Sequence, residues 1–175
     1  MTAYYNINPQ FYVSVDCIIF GLNEGELSLL LLKRNFEPEK GKWSLMGGFV
    51  QNDESVDAAA KRVLKELTGL ENVYMEQVGA FGEVDRDPGE RVISVAYYAL
   101  INIDEYDRKL VKKHNAQWIN IHDLPELSFD HPAMIEKARD LMRRKASLEP
   151  IGLNLLPRLF TLSQMQSLYE TIQGE

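Results

Sequence analysis

Hydrophobic and polar positions alternate with two different periods along this chain. From Phe11 to Phe20 and from Glu26 to Lys33 the residues are mostly β-branched, aromatic or aliphatic, with the turn-forming Leu22-Asn-Glu-Gly-Glu26 between them, and the pattern predicts a hairpin. Trp43 to Val50 reads as a short strand running into a Gly47-Gly48 turn. The period then changes: Val56, Ala60, Val63, Leu64 and Leu67 recur at three- and four-residue intervals before Gly69, which predicts a helix between two loops. Strand character returns over Asn72 to Gly82 and Val92 to Asn102, on either side of the charged loop Glu83-Val-Asp-Arg-Asp-Pro-Gly-Glu-Arg91.

Residues 103–114 read as a charged connection and Ala116 to Ile121 as a short strand. Asp130-His-Pro opens a helix to about Ala146, with Asp130 as N-cap, Pro132 in the first turn and Arg143, Arg144 and Lys145 in the last. Glu149-Pro-Ile-Gly152 reads as a linker, Leu153 to Phe160 as a short apolar helix, and Thr161-Leu-Ser-Gln164 as the start of another through Met165, Leu168, Tyr169 and Ile172. Two short helices with a tight junction match the opening of a helix-turn-helix, without the basic recognition helix that should follow. A helical hairpin packed on the main domain is the alternative.

The 175 residues suit one substantial domain with a small appendage, and 45% hydrophobic residues suffice for a core. A net charge of −7 argues against the chain as a whole binding nucleic acid or anionic membrane electrostatically. The single Cys17 excludes an intrachain disulfide framework, and its place in YVSVDCIIF marks it as a core residue. With no long apolar run and no leader, the expected location is the cytoplasm. His114, His122 and His131 lack metal-ligand spacing and read as surface or capping residues. Asp16, an acid in apolar company, reads as exposed or as a structural hydrogen-bonding group.

The stretch Gly48 to Leu70, GFVQNDESVDAAAKRVLKELTGL, resembles the Nudix box, the signature of hydrolases that cleave nucleoside diphosphates linked to another group. Gly48, Glu54, Arg62, Leu64, Glu66, Gly69 and Leu70 fall on its pattern. Val63 and Leu67 stand where the pattern has glutamates that hold Mg²⁺. A hard divalent cation needs several oxygen ligands, which one helical turn supplies from positions i, i+3 and i+4. Here that triplet is Val63, Glu66 and Leu67, so no bound metal, no cofactor and no catalytic residue are expected, and the chain is expected not to be an enzyme. In the family a carboxylate outside the box often assists, and Glu83, Asp85, Asp87 and Glu90 are the candidates that keep a hydrolase reading open.

The altered box, the run Asp85 to Leu100 and the ending Leu155-Leu-Pro-Arg-Leu-Phe-Thr-Leu-Ser-Gln-Met-Gln-Ser-Leu-Tyr169 together resemble the Nudix-related transcriptional regulators. The resemblance implies an α+β chain. Residues 1–148 would be a ligand-sensing Nudix fold of mixed β-sheets sandwiched by helices, and 149–175 the first helices of a truncated winged helix-turn-helix. It further implies a homodimer that binds operator DNA through the complete C-terminal domain, with no membrane partner. Among the branches the chain looks most like the L-arabinose-responsive regulators of Bacteroides-type bacteria, with the ADP-ribose-responsive branch as alternative. Apolar Val63 and Leu67 speak against a metal-bound diphosphate, whereas a neutral pentose needs convergent hydrogen-bonding groups and an aromatic floor. Trp43, Glu66, Glu83, Asp85, Arg86 and Tyr97 are the candidate ligand-binding residues, while Lys33, Arg34 and Arg91 remain available to a phosphate.

Overall fold

The computed structural model describes residues 7–23, 25–103 and 108–174. Its fold is assembled on β1 (Tyr12–Asn23), which shares one edge with two partners. Phe20 to Asn23 pairs antiparallel with β2 (Glu26–Lys33), and Ser14 to Cys17 pairs antiparallel with β4 (Met46–Phe49). Along its other edge, Tyr12 to Gly21 runs parallel to β6 (Val92–Ile101). β2 also takes β3 (Trp43–Ser44) and β7 (Ala116–Asn120), and β5 (Met75–Phe81) closes the far edge on β6. These strands form a mixed seven-stranded sheet.

Strand alternation then gives each sheet face its own core. On one face Val15, Cys17, Ile19, Leu30, Tyr97 and Ile101 pack with Ala59, Ala60, Val63, Leu64 and Leu67 of α1 (Val56–Thr68). Ile18, Phe20, Leu29, Leu31, Tyr98 and Leu100 on the opposite face pack with Met134, Ile135, Ala138 and Met142 of α3 (His131–Ala146). α1 starts at Ser55, whose side chain accepts the Ala58 N–H, and stops at Gly69, which supplies the left-handed conformation (φ 76°) of a helix C-terminus. Helices thus cover both faces of a mixed sheet, as expected for the Nudix fold. Among the described residues no helix is long and apolar enough to cross a membrane.

Several segments differ from the sequence reading. Gly47 and Gly48 lie inside β4 rather than in a turn, because β1 and α1 approach that strand too closely for side chains. Residues 103–114 include a short helix, α2 (Arg108–Lys113), on whose face Val111 is buried against the α1 core. The strand expected from Asn72 begins only at Met75, since Asn72 itself is left-handed (φ 58°). The helix expected over Leu153 to Phe160 is one 3₁₀ turn, Leu153–Leu155. Pro157 explains the stop: it forces the preceding residue out of helical geometry, and Leu156 is extended at φ −91°, ψ 156°.

α4 (Leu162–Gln173) does start at Thr161, with reciprocal hydrogen bonds between Thr161 and Gln164. Its Leu168 and Ile172, together with Leu155 and Leu156, belong to the same buried cluster as α3 and the sheet. Gln173 donates to the Arg143 carbonyl and the Ser147 hydroxyl at the end of α3, and Thr171 donates to the Gly25 carbonyl in the β1–β2 turn.

Candidate ligand-binding site

Where β2 and β4 take separate halves of one β1 edge, the connection between them borders a cavity of about 350 Å³. It lies on the α3 face of the sheet. Ser14, Asp16 and Val92 reach it from the strands, Arg34, Phe36 and Pro38 from the loop after β2, and Ser44, Leu45, Gly47, Gly48 and Phe49 from β3 and β4. Arg86, Asp87, Phe129 and His131 complete the wall. Of the two faces of β6, the one carrying Val92 and Ser94 is therefore the cavity side.

A buried polar cluster forms the floor. Ser94 donates its hydroxyl to Asp16 Oδ2 at 2.5 Å, and Arg86 Nη2 stands 3.8 Å from the same oxygen. Arg86 is held in a two-pronged pair with Asp130, Nε to Oδ2 at 2.9 Å and Nη2 to Oδ1 at 2.6 Å. Burial works to lower the Arg86 pKa, but the Asp130 hydrogen bonds outweigh it and hold the guanidinium above its ordinary value. Leu45 N–H donates to His131 Nδ1 at 3.1 Å, which leaves the proton of the neutral ring on Nε2, 3.5 Å from Asp16 Oδ1. Burial pushes the His131 pKa down, against the pull of Asp16, and keeps the ring uncharged.

One wall is aromatic. Arg34 Nε donates to the Pro38 carbonyl at 2.8 Å, and its guanidinium carbon lies 4.4 Å from the centre of the Phe36 ring and 4.9 Å from that of Phe129. Burial lowers the Arg34 pKa, partly offset by Asp87 and Asp16. Phe129 occupies a left-handed conformation (φ 54°), an uncommon one for a bulky side chain.

The box helix holds its loop through charge. Arg62 grips Glu54 with Nε to Oε2 at 2.9 Å and Nη2 to Oε1 at 2.6 Å, and also donates to the Phe49 carbonyl at 3.0 Å. Glu54 in turn accepts the Gln51 N–H, and the Arg62 hydrogen bonds hold its carboxyl below the ordinary range. Val63 and Leu67 point into the core, and a Cβ added to Gly48 would meet Val63 Cγ2 at 2.9 Å. Of the Val63, Glu66, Leu67 triplet, only exposed Glu66 carries oxygen, and it faces Arg62 Nη1 at 3.4 Å. Among the described residues no cluster of three or more His, Cys, Asp or Glu side chains has metal-holding geometry.

Of the six candidate ligand-binding residues, Arg86 alone lines the cavity, and of the three cations left available to a phosphate, Arg34 does. Trp43 packs on the neighbouring core, and its carbonyl accepts the Ser128 N–H. Tyr97 points to the opposite face and donates to Asp57; burial and that bond raise its pKa. Glu66, Glu83 and Asp85 are exposed, as is Glu90, whereas Asp87 lines the cavity. Two readings need correction. Asp130 occupies the N-cap position of α3 but makes no side-chain cap bond, because Arg86 takes both its oxygens. His131 is buried rather than on the surface, because Leu45 and Asp16 bind both ring nitrogens. Phe36, Ser94 and Phe129 were missed; the one local signal was Asp16, an acid in the middle of an apolar strand.

The fold and the box define a Nudix domain: the family's profile matches residues 11–141, and the chain belongs to the Nudix family. It is 35% identical over 170 residues to the ADPR responsive transcriptional repressor NtrR of Acinetobacter baylyi, covering 95% of this chain and 68% of that protein. The ADP-ribose pyrophosphatase of Methanocaldococcus jannaschii is 34% identical over 136 residues, 78% of each chain. Among solved structures, Shewanella oneidensis NrtR superposes with a TM-score of 0.87 at 30% identity, over 94% of this chain and 78% of that one. That protein has also been solved with a 27mer DNA, and its Nudix domain with ADP ribose.

Proposed function

We propose that this chain is the effector-sensing part of a cytoplasmic, homodimeric Nudix transcriptional regulator that responds to ADP-ribose and does not hydrolyse it. Similarity to an ADPR-responsive repressor across 95% of the chain is the observation that carries this reading. The box supports it, since Val63 and Leu67 are committed to the core and a Mg²⁺-bound diphosphate finds a single carboxylate on that helix turn, Glu66, already facing Arg62. Residues 149–175 are read as the first part of a winged helix-turn-helix that reaches operator DNA only when complete. ADP-ribose replaces L-arabinose as the effector, because the repressor and the pyrophosphatase to which the chain is similar are both named for ADP-ribose, and a related Nudix domain has been solved with it. Of the residues first proposed for the ligand, Arg86 is retained, joined by Asp16, Arg34 and Phe36.

Similarity to an ADP-ribose pyrophosphatase sustains a second reading, an active hydrolase with a relocated acid. Calorimetric titration with ADP-ribose and with L-arabinose, each with and without Mg²⁺, separates the possibilities when products are followed by chromatography. Saturable, metal-independent ADP-ribose binding without product is the expected result. Mg²⁺-dependent cleavage would restore the hydrolase, and heat with L-arabinose alone would restore the sugar sensor.

A further inference from the structure

The cavity joins two features not usually found together: flat aromatic and apolar walls, and a floor built from a buried acid beside a buried arginine. Leu32, Leu45, Val92 and Phe36 line the sides. A pentose enclosed here would turn hydroxyls toward those carbons without partners, an unfavourable burial. A diphosphate fares no better, because Asp16, Asp87 and Glu37 face the two arginines, Asp130 already holds Arg86, and Pro38 takes Arg34 Nε. A planar heterocycle meets neither objection. It stacks against Phe36, which is 56% exposed and backed by the Arg34 guanidinium, as bases stack on aromatic side chains elsewhere.

On the floor, Asp16 offers acceptor lone pairs beyond the one that Ser94 uses. Arg86 spends Nε and Nη2 on Asp130, which leaves Nη1 as the guanidinium nitrogen outside that pair. An acceptor beside a donor complements the adenine edge, whose N6 amino group donates while a ring nitrogen accepts. We infer that this cavity is an adenine-reading subsite, with Asp16 taking the N6–H and Arg86 Nη1 the ring nitrogen, so that the diphosphate and second ribose of the effector lie outside at the mouth. The inference rests on the ADP-ribose reading for the rest of the ligand, but the base is selected by this floor alone.

Hypoxanthine tests it, because its 6-oxo group presents an acceptor where adenine presents a donor. ADP-ribose and inosine diphosphate ribose are titrated into the wild-type chain, alongside adenosine and inosine. The expected result is at least about tenfold weaker binding of each hypoxanthine compound, the order expected when a buried polar group is left unpaired. Asp16→Asn, checked for folding by circular dichroism, is expected to shrink or reverse the preference, since its amide can donate to the 6-oxo group. Equal binding of the two dinucleotides would overturn the adenine subsite while leaving ADP-ribose as effector. If ADP-ribose does not bind, the proposed function fails; adenosine preferred over inosine would still support the subsite, and binding of neither nucleoside would overturn it. Should Asp16→Asn not fold, the wild-type comparison decides alone.

Discussion

Replacing Gly47 by alanine probes the cavity floor without removing any interaction by design. Gly47 sits opposite Asp16 in the β1–β4 ladder, and a Cβ built on it falls 2.5 Å from Asp16 Oδ1 and 3.2 Å from the Val15 carbonyl oxygen. The carboxylate has little room to yield, because it is buried and Ser94 holds its other oxygen. Overpacking costs about 1–3 kcal/mol, and drawing a charged acceptor off its donors about 1.5–3 kcal/mol. A loss of roughly 3–5 kcal/mol follows, or about 6–20 °C in Tm for a chain of this size. Urea denaturation followed by circular dichroism measures it, with Gly82→Ala as control, where the nearest atoms to a new Cβ are at 3.7 and 3.8 Å. A double-mutant cycle assigns the cause: in the Gly47→Ala background, Asp16→Ala should cost less than it does alone. If Gly47→Ala lies within about 0.5 kcal/mol of wild type, or the two changes add, the clash with Asp16 is not what the glycine avoids.

The remaining predictions concern the groups around that floor and the packing behind it. Asp130→Asn leaves Arg86 without its ionised partner and should cost about 2–4 kcal/mol by urea denaturation, below the full penalty for a buried pair because Asp130 is partly exposed; a neutral effect would show the pair to be dispensable. His131 has its folded pKa lowered by burial, so in acid the unfolded state binds the extra proton. Stability should be intact above the unfolded value near 6.5 and fall as pH drops below it, and a Tm profile in which His131→Gln keeps that limb would assign the titration elsewhere. Leu168→Ala, at a position 1% exposed, should lower the stability of the whole chain by about 2–5 kcal/mol within one cooperative transition. A separate second transition would instead mark the C-terminal segment as an independent unit. Val63→Glu buries a carboxylate beneath Gly48 and should destabilise the chain by several kcal/mol without conferring Mg²⁺-dependent ADP-ribose cleavage; cleavage with an unchanged Tm would show the box to be one substitution from activity.

The strands, α1 and α3 were legible because each carries one dominant period and clear end signals: Ser55 and Gly69 around α1, and Pro132 at the start of α3. α2 was not, since six residues are too few to carry a period to detect. The extent of the 153–160 helix was over-read because five apolar residues outweighed Pro157, whose effect on Leu156 is decisive. The candidate site was less legible for a topological reason. Asp16, Ser94, Arg86 and His131 come from four separate parts of the chain and meet only because β1 and β6 pair in parallel and α3 begins beside them. Charged residues in the 83–91 loop looked equivalent in sequence, yet Arg86 turns inward to Asp130 while Glu83, Asp85 and Glu90 face water.

Successive glycines in β4 serve opposite faces of the sheet. Gly47 faces the cavity and makes room for Asp16, whereas Gly48 faces the other way and makes room for Val63. Of the seven residues on the box pattern, Gly48, Glu54 and Arg62 are engaged in close helix approach, the Arg62–Glu54 pair and the bond from Arg62 to the Phe49 carbonyl. Their matches to the pattern therefore testify to the loop's shape. At Val63 and Leu67 a helix turn that presents oxygen to a cation in the Nudix pattern presents carbon to the core. Under the proposed function, effector affinity comes from contacts that bind a ligand without activating it. Stacking on Phe36 and a hydrogen-bonded edge on Asp16 and Arg86 are contacts of that kind, and they lie on the cavity side of the strand, away from the altered helix.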